Sequence, residues 1–173
     1  PLYNQLIDQN PYSAPYWFGL ARCHFEDLNF DQAIDACDYA LIGDDEFADA
    51  YVMKGHCFYQ LGNEDAALEC YQKAEQMHGL APEFVYTYIG LCKVSKGEWE
   101  EGYENLEKAI QANEAEETPA PTLPSLYANA GLCLSKMKKK RKAHQYCKKA
   151  QKLEPKDPEA YLIEGLSLIH ISE

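Results

Sequence analysis

Apolar and polar positions follow a helical period along this chain, and the pattern itself recurs. An aromatic residue followed four positions later by a small one opens each block: Trp17–Ala21, Tyr51–Gly55, Tyr86–Gly90, Tyr127–Gly131 and Tyr161–Gly165. The small residues lie 34 or 35 apart, except for a step of 41 between Gly90 and Gly131. Such a period marks stacked copies of one small unit, each too small to bury its apolar face alone. Stacked units of this kind present a binding surface more often than a catalytic pocket.

Within each block the apolar residues run twice at helical spacing, separated by a short turn. In the second block this predicts a helix from about Phe47 to Leu61, a stop at Gly62 and a further helix capped by Asn63. The Asn63 side chain suits the orphan N–H groups there, and Glu64 and Asp65 complement the positive helix end. The second helices carry matching stripes: Ala33, Cys37, Ala40; Ala67, Tyr71, Ala74; Gly102, Leu106, Ala109; and Ala143, Cys147, Ala150. Gly55 and Ala67 let two antiparallel helices approach closely, with Tyr51, Phe58 and Tyr71 filling the space beside them. A bulky residue at Gly90 is expected to overpack its hairpin by about 1–3 kcal/mol or more.

The order aromatic–x2–Leu–Gly–x2–aromatic, then Ala–x3–aromatic–x2–Ala, then Pro, resembles the tetratricopeptide repeat. Trp17, Leu20, Ala21, Ala33 and Ala40 carry the resemblance in the first unit; Tyr51, Gly55, Phe58, Gly62, Ala67, Tyr71 and Ala74 in the second. Tyr86, Ile89, Gly90, Gly97 and Ala109 do so in the third, and Tyr127, Gly131, Leu134, Ala143, Ala150 and Pro155 in the fourth. The resemblance implies an all-α, right-handed solenoid of antiparallel helix hairpins. The expected units are residues 14–47, 48–82, 83–116 and 124–157. Residues 1–13 then end a truncated preceding repeat, 117–123 are a proline-rich insertion, and 158–165 start a fifth repeat. The chain reads as a fragment, expected to be bacterial. Residues 166–173 resemble a sequencing adapter translated in frame and are expected to be non-native. Three departures stand out: Gly102 replaces the small Ala, Lys93 and His24 stand where an aromatic is usual, and residues 114–124 hold about seven extra residues. The prolines there suggest a stiff, extended link. A tolerated surface loop is the main expectation, with a loosened contact between the third and fourth units as the alternative.

In the resembled family, first helices line a concave face on which extended peptides bind. Carried over, the facing positions are Phe18, Arg22, Phe25 and Glu26, then Asp49, Val52, His56, Tyr59 and Gln60. Phe84, Thr87, Leu91, Val94 and Ser95 follow from the third unit, and Ala128, Leu132, Ser135 and Lys136 from the fourth. We take Phe18, Arg22, Phe25, Val52, His56, Tyr59, Phe84, Thr87 and Leu91 as candidate partner contacts, with Arg22 and His56 as the main polar donors. Padding of the core between hairpins is the competing role for several of them. Co-chaperone members grip a carboxylate terminus with a set of Lys, Asn and Arg residues. The corresponding places here hold Phe18, Arg22, Met53, Phe84 and Tyr88, of which one is basic, so that clamp is not expected.

Seven cysteines, an odd number, argue against a closed disulfide framework. Cys23, Cys57, Cys92 and Cys133 each follow the small residue of their repeat by two, so all four are expected in one small buried slot. One Cys per repeat does not assemble the four close ligands of a zinc site. Unpaired thiols favour a reducing compartment, and cytoplasm is the expected one; with the N-terminus expected to be missing from this fragment, export stays open. No apolar run reaches the roughly 18 residues that span a bilayer.

The net charge is −12, unevenly spread. Residues 1–135 carry −17, whereas residues 136–156 hold 10 basic residues against one acid. Lys136, Lys138, Lys139, Lys140, Arg141 and Lys142 form the densest part. A solvated outer face is the main expectation. Docking to an acidic surface, on another copy or on a partner, comes second. Nucleic acid comes last, because the block lacks interleaved aromatics and belongs to a strongly acidic chain. No glycine-rich phosphate loop or serine nucleophile motif is present. Glu100 and Glu101 read as a solvent-facing pair, and His144 with Cys147 as ordinary helix surface. No catalytic residues, cofactor or metal are expected. The expected role is a protein–protein interaction scaffold holding a peptide or protein. Two alternatives remain: a regulatory or assembly segment of a larger multidomain protein, and self-association through unsealed ends.

Overall fold

The structure, a computed structural model, describes residues 2–77, 82–116 and 121–155. The expected fifth repeat and the tail at 166–173 lie outside these residues, as does part of the insertion, 117–120. Among the described residues there are nine helices and no strand: α1 (Leu2–Gln9), α2 (Ala14–Glu26), α3 (Phe30–Gly43), α4 (Ala48–Gln60), α5 (Glu64–Glu75), α6 (Pro82–Ser95), α7 (Trp99–Ala115), α8 (Leu123–Lys136) and α9 (Lys140–Leu153). This is the all-α helical-repeat fold that the periodicity predicts. The chain forms two compact units, one ending at Ala81 and one beginning at Pro82. In the first, α2 pairs with α3 and α4 with α5, α3 packs on α4, and α1 packs on α2. In the second, α6 pairs with α7 and α8 with α9, and α7 packs on α8.

Four copies of one turn build the hairpins. After α4 the amide of Gly62 donates to the carbonyl of Tyr59, and that of Asn63 to Phe58. The same two bonds run from Leu28 and Asn29 to Phe25 and His24, from Gly97 and Glu98 to Val94 and Lys93, and from Lys138 and Lys139 to Ser135 and Leu134. This is the Schellman arrangement, in which a left-handed residue lets the chain return to satisfy the last carbonyls. The left-handed residue has φ of 60° at Leu28, 72° at Gly62, 76° at Gly97 and 59° at Lys138. The next residue takes the N-cap position of the following helix, and of the four only Asn63 caps with its side chain: its Oδ1 accepts from the Ala66 amide at 3.2 Å, as predicted.

The hairpins close on the small residues. All twelve stripe residues of the second helices are buried. A Cβ on Gly55 would come within 2.6 Å of the Tyr71 ring, one on Gly90 within 2.8 Å of Leu106, and one on Gly131 within 3.0 Å of Cys147 Sγ. Ala21 occupies the matching place in the first hairpin, where the stripe residue is the small Cys37. The departure at Gly102 has the same cause: a Cβ there would meet Val94 Cγ2 at 3.1 Å. Lys93 replaces the usual aromatic by reaching α7, where it holds Glu98 at 2.5 Å and Glu101 at 2.7 Å.

One expectation needs correction. Cys57, Cys92 and Cys133 are fully buried, but Cys23 is exposed. Cys57 sits where α4 is flanked by the fourteen-residue α3, whereas α2 has only the two-turn α1 on the corresponding side. α7 runs to Ala115, inside the expected third unit, and Glu114 accepts from the Tyr127 hydroxyl of α8 and pairs with Lys149 of α9 at 3.3 Å. Leu106 and Ile110 of α7 pack with Leu123, Leu126 and Tyr127 of α8 in one apolar cluster.

Candidate functional site

In the first unit, α2 and α4 set two short aromatic clusters on either side of Arg22. Towards the start of α2, Phe18 meets Phe47 edge-on at 5.2 Å between ring centres, with Met53 in the same cluster. Towards its end, Phe25 meets Phe30 at 5.5 Å and lies 6.4 Å from the His56 ring. Helical spacing brings 18, 22 and 25 to one side of α2. Phe18 and Phe25 are half-buried, so each ring packs on one face and leaves part of its surface open. Arg22 is exposed and makes no ion pair among the described residues, whereas the unit's other two cations do: Lys54 with Asp38, and Lys73 with Glu69 at 2.9 Å.

The α4 candidates behave differently from one another. Tyr59 is exposed, at 36%. Val52 is buried and offers no surface. His56 is not the open donor that its position suggests. Its Nδ1 lies 2.7 Å from the Tyr71 hydroxyl of α5, and burial lowers its pKa from 6.5 to about 4. At neutral pH it is therefore an uncharged imidazole tied into the hairpin.

In the second unit, Phe84 at the start of α6 is 42% exposed and meets Tyr88 edge-on at 4.9 Å. Thr87 and Leu91 are half-buried, and Leu91 packs against the α7–α8 core. On α8, Ala128 is buried, Leu132 and Ser135 are half-buried, and Lys136 covers the Trp99 ring at 5.6 Å. Of the nine candidate contacts, Arg22, Tyr59 and Phe84 are therefore the exposed ones, each beside half-buried aromatic or aliphatic groups; among the other facing positions Glu26, Asp49, Gln60, Ser95 and Lys136 are exposed as well.

Other groups considered for chemistry face inward or lie open on the surface. Burial pushes the thiol of Cys37 up to about 12 and those of Cys57 and Cys133 to about 11. A thiol held protonated in this way is a poor nucleophile and a poor metal ligand. Glu100 and Glu101 are exposed in the first turn of α7, where they complement the helix dipole. Two polar clusters, which periodicity did not reveal, join the helices of the second unit. Tyr146 donates to Glu107 at 2.6 Å and lies 3.3 Å from the Tyr103 hydroxyl. Lys149 donates to the Tyr127 hydroxyl at 2.9 Å and stands over the Tyr127 ring. The signal for the second cluster is the aromatic at 127 together with the lysine 22 residues later, a pairing visible only once α8 and α9 are placed side by side.

Tetratricopeptide repeat family models match residues 1–49, 48–78 and 124–157. Over 79 residues, 46% of its length, the chain is 33% identical to the signal recognition particle subunit SRP72 of Dictyostelium discoideum. It spans 11% of the length of that relative. Among solved structures it resembles YrrB, a TPR protein with an unusual peptide-binding site. The TM-score is 0.83 at 17% identity, covering 99% of this chain and 84% of that one. It also resembles the first TPR of Spaghetti (RPAP3) bound to the HSP90 peptide SRMEEVD, with a TM-score of 0.64 at 17% identity, covering 75% of this chain and 97% of that one. At these identities the structural likeness shows the fold.

Proposed function

The chain belongs to the tetratricopeptide repeat family, and we propose that it acts as a protein–protein interaction scaffold which takes an extended peptide on its first-helix faces. The observation that carries the reading is the exposed, unpaired Arg22 between the half-buried rings of Phe18 and Phe25. An arginine flanked by fixed aromatics is the composition of an interface hot spot, because little side-chain freedom remains to be lost on binding. Phe84 and Tyr88 form an aromatic pair of their own on α6 in the other unit. Both structural relatives described above bind peptides, which supports the same use here.

The peptide we expect is not one gripped chiefly by its carboxylate terminus. Phe18, Met53, Phe84 and Tyr88 stand where such a grip needs basic side chains, which leaves one cation, Arg22, for one carboxylate. We therefore assign apolar anchors and a single acid to the bound peptide. Binding, not catalysis, is the assigned role. The high-pKa thiols fit a reducing compartment such as the cytoplasm.

Selecting peptides on this chain from a random library tests the reading. Peptides so obtained are expected to lose about tenfold or more in affinity on Arg22→Ala. They should be indifferent to Tyr39→Ala, an exposed aromatic on the second helix α3. Equal losses on the two helix faces, or none on either, would refute it.

A further inference from the structure

The exposed side of α9 carries charge that no carboxylate among the described residues answers. Lys140–Leu153 contains no acidic residue. Arg141, Gln145, Lys148 and Lys152 recur at helical spacing and are all exposed, which makes a ridge about 17 Å long at 1.5 Å per residue. At its head, Lys138, Lys139, Lys140, Arg141 and Lys142 line a shallow recess of about 540 Å³. Among the described residues none of these five, nor Lys148 or Lys152, makes an ion pair. Elsewhere in the chain Lys54, Lys73, Lys93, Lys96 and Lys149 each hold a carboxylate. Lys140, Arg141 and Lys142 also oppose the dipole of their own helix, at the place where α5 and α7 carry acids. An anionic occupant would answer both the mutual repulsion and the dipole.

We propose that this ridge is a second docking surface, for an acidic segment of a protein partner. The choice of occupant follows from what surrounds the ridge. A long polyanion such as RNA would run on past α9 over the acids of α7, where Glu100, Glu101, Glu104 and Glu114 are exposed. It would also find no stacking platform among the described aromatics nearby. Lys136 already stands over Trp99, and Lys149 over Tyr127 and Tyr146. A short run of Asp and Glu avoids both problems: about five extended residues match the ridge length. A membrane would need an apolar anchor, and the apolar side of α9, with Ala143, Cys147 and Ala150, is buried. The surface lies on a second helix and does not depend on the first-helix reading; Arg22→Ala leaves it intact.

Fluorescence anisotropy on the whole chain tests the proposal, with a labelled octaglutamate peptide and a labelled single-stranded RNA octamer as probes. Octaglutamate is expected to bind at about 50 mM salt and to weaken steadily as salt rises. Arg141→Gln with Lys148→Gln should weaken it about tenfold, while the charge-matched pair Lys73→Gln with Lys108→Gln changes it less than about twofold. Circular dichroism establishes that both variants remain helical. Absent binding, equal weakening by the two pairs, or tighter binding of the RNA overturns the proposal. So does salt-sensitive dimerisation of the free chain in sedimentation that the ridge variant abolishes. That outcome would assign the ridge to a second copy, whose α3 exposes Asp31, Asp35 and Asp38 at the equivalent repeat positions.

Discussion

The repeated Schellman turn makes a prediction free of most packing complications. Its left-handed position holds glycine twice, at 62 and 97, and a side chain twice, at Leu28 and Lys138. A non-glycine residue in that conformation costs roughly 1–2 kcal/mol. Introducing glycine loosens the unfolded chain and returns roughly 0.5–1 kcal/mol of that cost. Leu28 is 72% exposed and Lys138 is exposed, so neither substitution gives up appreciable burial. Leu28→Gly and Lys138→Gly should therefore each stabilise the protein by about 0.5–1 kcal/mol. The reverse change is equally clean, since a Cβ on Gly62 would meet nothing within 4 Å. Gly62→Ala should destabilise by about 1 kcal/mol through the backbone alone. Urea unfolding followed by circular dichroism reads these as opposite shifts in midpoint at unchanged slope. A neutral Gly62→Ala, or a Leu28→Gly that destabilises, would refute the claim that backbone conformation selects the residue here.

Gly55→Ala should cost about 1–3 kcal/mol by driving a methyl against the buried Tyr71 ring, whereas Gly131→Ala, facing Cys147 Sγ at 3.0 Å, should cost less. Adding Tyr71→Cys to Gly55→Ala recreates the Ala21–Cys37 pairing, so the double variant should be more stable than the sum of the singles; strict additivity counts against the steric account. His56 has a folded pKa of about 4 against 6.5, so the unfolded chain binds the extra proton first. Its contribution is full above about pH 6.5 and fades as pH falls towards 4, and His56→Gln should flatten that part of the stability profile, read by urea midpoints. A thiol reagent applied to the native protein should modify Cys23 quickly and the other six only on unfolding; rapid reaction of two or more thiols would contradict the burial pattern. Glu114→Ala should cost about 1 kcal/mol or less, since Lys149 and the Tyr127 hydroxyl keep each other and Glu114 is half in solvent; a loss above about 2 kcal/mol would mean the α7–α8 contact depends on it.

The hairpin architecture was legible because it is written in local patterns. Period, turn glycine and small-residue stripe all concern residues that meet within one hairpin, roughly half a repeat apart. The cap at Asn63 and the close contact at Gly55 were readable for that reason. The misread residues share a different property: their environment is supplied by another helix whose position the pattern does not specify. Cys23 has the same local sequence context as Cys57, but its burial depends on the helix packed before it. Glu114 falls in the expected third unit, but its partners, Tyr127 and Lys149, lie on two other helices that the period does not place.

The candidate site shows the same division more sharply. Position in the repeat puts Val52, His56 and Tyr59 on one α4 face, but the hairpin partner decides what each can do. Tyr71 is the decisive neighbour. Its ring leaves room only for glycine at 55, and its hydroxyl holds His56 Nδ1 at 2.7 Å. In the first hairpin the matching residue is Cys37, which allows alanine at 21 and offers no hydroxyl to the residue beside it. Arg22 follows Ala21 as His56 follows Gly55, and it is exposed and unpaired. One stripe residue therefore sets both the hairpin spacing and whether the adjoining first-helix side chain is tied down or left open. On that argument the second-helix stripe, which never faces the partner, decides where the first-helix face keeps a polar group free to bind.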